Sequence, residues 1–281
     1  ARVLNQFAQQ DYQIIFGNSF GYMDFMAEAA EDFPNVYFEH CSGYQVGPNK
    51  ANYFGRMYQA RYLTGLVAGA MTETNKVGYV AAHPIPEVIR GINAFTLGVR
   101  EVNPDAEVQV VWTNTWFDPA IEHEASESLL DAGADIIAQH QDTTEPQQAA
   151  KDRGKYSIGY HSDMRQFVGD TVLSSAVWDF SSYYIERVRA AMDGTWESGS
   201  YWGSLEDGIV GLADFSPHVP DDVISTVESE KELIISGEWD VFYGPLYNQE
   251  GEEVLGAGEK LTDDEMLSMN YFVEGVIGRI D

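Results

Sequence analysis

From residue 12 to residue 192, short β-rich runs alternate with amphipathic stretches, a rhythm that few folds accept. Residues 12–16 (YQIIF) make a buried-strand run that ends at Gly17. Residues 23–32 have helical spacing, stopped by Phe33-Pro34, and 36–40 give a second strand. In 53–71, Tyr58, Tyr62, Leu63, Leu66 and Val67 recur at helical spacing, with Gly65, Ala68 and Gly69 small enough for close packing. Strands at 76–82, 108–113, 135–138, 156–160 and 172–177 then alternate with helices at 86–103, 119–133, 145–153 and 181–192. Such alternation predicts parallel sheets with crossover helices, the doubly wound α/β class. Past residue 193 Gly, Trp and Tyr become frequent, a helix spans 220–236, and a hairpin is expected around 247–251. Only two strands precede residue 76, so the first part is expected to borrow strands from a segment ahead of this chain. The opening residues read as the tail of a helix.

Asp and Glu number 45 against 16 Lys and Arg, a formal charge of −29 spread along the whole chain. A phosphate-binding surface needs a basic patch, and the longest basic cluster is Lys151, Arg153 and Lys155. Nucleic acid and anionic membrane are therefore poor partners. Distributed acid with few lysines fits a protein bathed in salt, where screening relieves self-repulsion. The single cysteine, Cys41, excludes an internal disulfide and follows an apolar run as a buried strand-end thiol would. No run reaches the ~18 apolar residues of a membrane span, and the first residues are not a signal peptide.

In open α/β sheets ligands bind at the carboxyl ends of strands. Those ends carry Asn18, Phe20, Tyr22 and Asp24; Asn114, Trp116, Phe117 and Asp118; His140, Gln141 and Asp142; Tyr160, His161, Ser162 and Asp163; then Trp178 and Asp179. Aromatic rings beside hydrogen-bonding groups describe a pocket that stacks a flat ring and pairs its edge. Asp118 before Pro119 is equally the cap of the following helix, and one of the adjacent Trp116 and Phe117 can point to the core. His140, His161, Asp142 and Asp163 could ligate a metal, but no HExxH or CxxC spacing supports it. Ser162, His161 and Asp163 lack a GxSxG elbow. Neither GxGxxG nor GxxxxGK[ST] occurs, so a phosphorylated ligand has no cradle.

Taken together, residues 15–24 (IFGNSFGYMD), 62–69 (YLTGLVAG), 76–80 (KVGYV), 133–137 (GADII), 158–163 (IGYHSD), 202–208 (WGSLEDG), 244–248 (GPLYN) and 272–276 (FVEGV) resemble the basic membrane protein family. Its members are substrate-binding lipoproteins of ABC importers, and its characterised members bind purine nucleosides. The resemblance covers essentially the whole chain. It implies a two-lobed type I periplasmic-binding-protein fold, with residues 1–75 plus 179–200 in one lobe and 76–178 plus 201–281 in the other. Lobe crossings are expected near residues 75, 178 and 200. It also implies no catalysis and no cofactor, a permease as partner, and a periplasmic or extracellular protein tethered through a lipid anchor ahead of this chain. Two departures matter. Nucleoside-binding members carry a carboxylate where His161 stands and a Lys where Trp178 stands, the groups that hold ribose. The pattern Trp116-Phe117-Asp118-Pro119, His140 and 160–164 (YHSDM) resembles a subgroup for which a bare purine base such as adenine is the implied ligand. The expected ligand-binding residues are Asn18, Phe20, Tyr22, Trp116, Phe117, His140, Asp142, His161, Asp163 and Trp178. The alternatives are a purine nucleoside binder, an enzyme using His161 with Asp163 as acid–base pair, and a sensory module.

Overall fold

The computed structural model describes residues 2–280. Its elements in chain order are α1 (Arg2–Gln9), β1 (Ile14–Asn18), α2 (Met23–Asp32), β2 (Tyr37–Cys41), β3 (Lys50–Gly55), α3 (Met57–Met71), β4 (Lys76–Ala81), α4 (Pro86–Val102), β5 (Glu107–Trp112) and α5 (Pro119–Asp131). There follow β6 (Ile136–His140), α6 (Glu145–Asp152), β7 (Tyr156–His161), α7 (Arg165–Val168), β8 (Val172–Trp178), α8 (Ser181–Asp193), β9 (Ser200–Gly203) and β10 (Val210–Leu212). The chain closes with α9 (Asp221–Ser236), β11 (Leu246–Tyr247), β12 (Glu253–Leu255), α10 (Asp263–Leu267) and β13 (Val276–Ile277). Two compact units result: the chain up to Arg56 with Asp179–Ile209, and Met57–Trp178 with the chain from Val210.

The first unit is built on a parallel four-stranded sheet, β1-β2-β3-β9. Against it α1 buries Leu4 and Ala8, one turn apart, onto Ile15, Met26, Ala29 and Phe38. Two of the four strands escape sequence inspection. In β3 all residues but Phe54 are buried, so no polar–apolar alternation marks it, and its rings run on into the helical pattern of α3. β9 is four residues long and is defined by pairing with β3 far away in sequence. The chain therefore supplies its own four-stranded sheet, where only two strands were expected.

Glu39 ties this unit together. Its carboxylate is fully buried and accepts from the Tyr183 hydroxyl at 2.8 Å, Trp196 Nε1 at 2.7 Å and Arg187 Nε at 2.5 Å. A buried charge survives only when paired and hydrogen-bonded in this way.

The second unit carries a seven-stranded sheet, β10-β8-β7-β6-β4-β5-β13, parallel except for β10. The units divide after Arg56, Trp178 and Ile209, against the expected 75, 178 and 200. The first shift follows from α3, which packs along α4 at glycine contacts. A Cβ on Gly65 would stand 2.2 Å from the Phe95 carbonyl oxygen, and one on Gly98 2.0 Å from that of Tyr62. Only glycine permits two helix backbones to approach so closely. On another side, Val80, Leu129, Ile137, Ala149 and Ala150 form a core under α5 and α6.

Chain order along this sheet reverses at β4. The chain leaves β4 through α4 to β5 on one side, returns through α5 to β6 on the other, and continues to β7 and β8. A crevice opens where such a sheet switches direction, here at the carboxyl ends of β4 and β6. The expected hairpin is present as antiparallel β11 and β12, closed by the Gly251 amide on the Asn248 carbonyl.

Replacing Glu39 by Ala leaves the Arg187 guanidinium half-buried without its carboxylate. Urea titration is expected to show a loss of about 3–5 kcal/mol.

Candidate functional site

The crevice side chains come from five strand ends of the second unit. Past β4, Pro86 opens α4 and Glu87 occupies its first turn. Past β5, Asn114 takes a left-handed backbone (φ 57°), and Trp116 lies edge-on to His83 at 5.0 Å and 6.1 Å from His140. Phe117 is 65% exposed. The Asp118 carboxylate is spent on capping α5, accepting from the Ala120 and Ile121 amides. The buried Glu122 accepts from the Asp118 amide at 3.0 Å and from the Thr143 hydroxyl. The Asp142 amide in turn donates to the Trp116 carbonyl at 3.0 Å. Glu122 therefore fixes the loop of Trp116 to the loop of Asp142.

His140 closes β6 almost wholly buried, its Nε2 3.2 Å from the Tyr160 hydroxyl and 3.4 Å from Glu87 Oε1. Burial, with Arg61 nearby, holds its imidazole well below the ordinary histidine range, so it is neutral. Desolvation acts on Glu87 in the opposite direction and pushes its carboxyl up to about 7. Tyr160 lies between two flat groups, with Arg61 3.8 Å from its ring centre and the His161 ring stacked at 3.7 Å. Arg61 itself is fully buried and donates from Nη1 to the Gln139 carbonyl at 2.6 Å.

His161 has a defined tautomer. Trp178 Nε1, a donor only, stands 3.2 Å from Nδ1, so the ring proton sits on Nε2 and is donated to Asp142 Oδ1 at 2.9 Å. The expected pairing of His161 with Asp163 is not formed. Asp163 instead accepts from its near neighbour Arg165, through the backbone amide, Nε and Nη2 at 3.1–3.2 Å. The acid–base dyad of the enzyme alternative thus loses its partner. The structure brings Trp116, His140, Asp142, His161 and Trp178 to one face and turns Asp163 away.

In the first unit, Asn18 ends β1, Ser19 holds a positive φ of 144°, and Phe20 and Tyr22 sit in a 3₁₀ turn. His40 Nε2 donates to the Ser19 carbonyl at 2.9 Å and holds that turn. Phe20, Tyr22 and Tyr44 are exposed, and the rings of Phe20 and Tyr44 are 6.5 Å apart.

Sequence inspection missed Glu87, His83, Arg61 and Tyr44. For Glu87 and His83 a signal exists: the strand-end rule applied to β4 selects them directly. Among the described residues no three His, Cys, Asp or Glu side chains group as a metal site, and no helix is long and apolar enough to cross a membrane.

Residues 1–243 match the family of PnrA-like ABC transporter substrate-binding proteins, Bmp. The chain belongs to that family. Over 275 residues it is 44% identical to a protein of Brucella abortus named purine-binding protein, covering 98% of this chain and 78% of the relative. A putative ABC transporter glucose-binding protein of Haloferax volcanii is 42% identical over 279 residues, 99% of this chain and 69% of the relative. Among solved structures, the transcriptional activator of the comK gene from Bacillus halodurans superposes with a TM-score of 0.76 at 27% identity, over 85% of this chain and 83% of that one. Solute-binding proteins of ABC transporter systems share the same α/β fold of parallel sheets flanked by helices, the type I periplasmic-binding-protein fold. This member of the Bmp family is therefore a substrate-binding protein of the ABC transporter class. Such proteins are non-enzymatic and work with membrane permeases on small-molecule ligands.

Glu122→Ala leaves the Asp118 amide and the Thr143 hydroxyl without their acceptor. The expected loss is about 1–3 kcal/mol in urea, with lower tryptophan fluorescence anisotropy as the Trp116 loop loosens.

Proposed function

We propose that this substrate-binding protein captures a purine nucleobase of the adenine type outside the cytoplasm and passes it to the permease of an ABC importer. The observation that carries this reading is the arc of Trp116, His140, His161 and Trp178 at the switch point of the larger sheet. A nucleobase is flat and uncharged, and stacking on an aromatic ring is worth about 1–3 kcal/mol per base. Asp142 offers an acceptor beside those rings for an exocyclic amine, while its charge opposes a phosphorylated ligand. The relative named purine-binding protein supports the same ligand class. We assign ligand contacts to Trp116, His140, Asp142, His161 and Trp178 in the second unit.

Calorimetry with adenine, hypoxanthine, adenosine and glucose tests the proposal. Adenine is expected to bind more tightly than adenosine, because His161 and Trp178 stand where ribose-holding groups would be needed. Tighter binding of adenosine would return the protein to the nucleoside binders. Binding of glucose alone would assign it the ligand class named for the Haloferax relative. Trp178→Lys is expected to weaken adenine at least fivefold if that ring stacks on the base.

The charge of −29 belongs to habitat. We assign the acidic surface to a saline medium, so the thermal midpoint is expected to rise as KCl is raised from low to molar concentration. A midpoint indifferent to salt would remove that assignment.

A further inference from the structure

The crevice between β4 and β6 is flanked by two carboxyl groups with different surroundings. Asp142, two residues beyond β6, is half-exposed; one of its oxygens accepts from His161, and the other carries no hydrogen bond among the described residues. Glu87 lies across the crevice in the first turn beyond β4, and its side chain is only 19% exposed. β4 and β6 are hydrogen-bonded neighbours, with Ala81 opposite His140, and adjacent strands run about 4.8 Å apart. Glu87 and Asp142, beyond the ends of those two strands, are near enough to interact electrostatically.

Glu87 meets charged and titratable groups from every element around it. Arg90 lies on its own helix, Arg61 comes from α3, His140 from β6, Asp142 from the loop beyond β6, and Tyr160 and His161 from β7. None of these neutralises it by a close ion pair among the described residues: its nearest recorded partner is the neutral His140, at 3.4 Å, beyond good hydrogen-bond range. The cations around it favour its ionised form, but burial outweighs them and raises its carboxyl to about 7. A protonated carboxyl is a hydrogen-bond donor, which an ionised one is not.

We propose that Glu87 is a specificity-determining residue, donating its carboxyl proton to an unprotonated ring nitrogen while Asp142 accepts from the neighbouring exocyclic amine, so that the site takes 6-aminopurines and rejects 6-oxopurines. The assignment rests on the nucleobase reading above. A 6-oxopurine sets a carbonyl oxygen against the Asp142 carboxylate, two acceptors face to face, and mismatched acceptors discriminate more sharply than lost contact area. The sign of the pH dependence follows. The donor is present below about pH 7 and is lost as pH rises through that value, so affinity for adenine falls on the alkaline side.

The test is calorimetry with adenine and hypoxanthine at about pH 6 and about pH 8, on the unaltered protein, Glu87→Gln and Glu87→Ala, each checked for folding by circular dichroism. For one linked proton, adenine affinity in the unaltered protein is expected to fall about tenfold between the two conditions. Glu87→Ala is expected to weaken adenine at about pH 6 by at least tenfold. Glu87→Gln, whose amide donates at every pH, is expected to restore most of that loss and to remove the pH dependence. Hypoxanthine is expected to bind at least tenfold more weakly than adenine at about pH 6. Adenine binding that ignores pH, or survives Glu87→Ala unchanged, would overturn the assignment while leaving the nucleobase reading intact. Should Glu87→Ala fail to fold, pH-dependent binding that persists in Glu87→Gln has the same meaning. Absence of any purine binding to the unaltered protein would overturn both.

Discussion

The close approach of α3 and α4 at Gly65 and Gly98 is the constraint on which the larger unit depends. Each helix delivers an ionisable side chain to the crevice, Arg61 from α3 and Glu87 from α4. With ordinary side chains at the contact the helix axes would move apart, and interhelical distances respond directly to side-chain size. Arg61 would then no longer lie 3.8 Å from the Tyr160 ring. A backbone contact on one face of the sheet therefore sets the electrostatics at its carboxyl end. Arg61 lowers the basicity of His140 and opposes the rise at Glu87.

Above that floor the polar groups are arranged in a chain rather than as isolated pairs. Trp178 donates to His161, and His161 donates to Asp142. The amide of Asp142 holds the carbonyl of Trp116, whose loop is fixed by Glu122. The rings of His161 and Trp178 are oriented by hydrogen bonds, so less side-chain freedom remains to be lost when a ligand binds. Orientation of this kind is well suited to capture and release, where nothing reacts and affinity depends on how little has to be rearranged.

Much of this was legible in the sequence, for physical reasons that differ from residue to residue. β1, β2 and β4–β8 stand out because each is a short apolar run between helical periods or turn residues, and strand ends then select His140, Asp142, His161 and Trp178. β3 was hidden by burial on both faces, and β9, β10 and β13 are two to four residues long, visible only through partners distant in sequence. Asp163 looked equivalent to Asp142, yet an arginine two residues away captures it. Arg61 gave no sign of its role, since a lone cation within a helical period looks like a solvated one. Only the packing of α3 against α4 and β8 removes it from water.

The larger sheet ends in β10, three residues long and antiparallel, and in β13, two residues long. Such stubs have a consequence outside the molecule. A long bare border invites another chain to extend the ladder, and an acidic protein normally discourages that by repulsion at a distance. Salt removes that repulsion beyond a few ångströms. Short strands at the rim discourage such pairing whatever the salt, a safeguard of shape that no ion can screen.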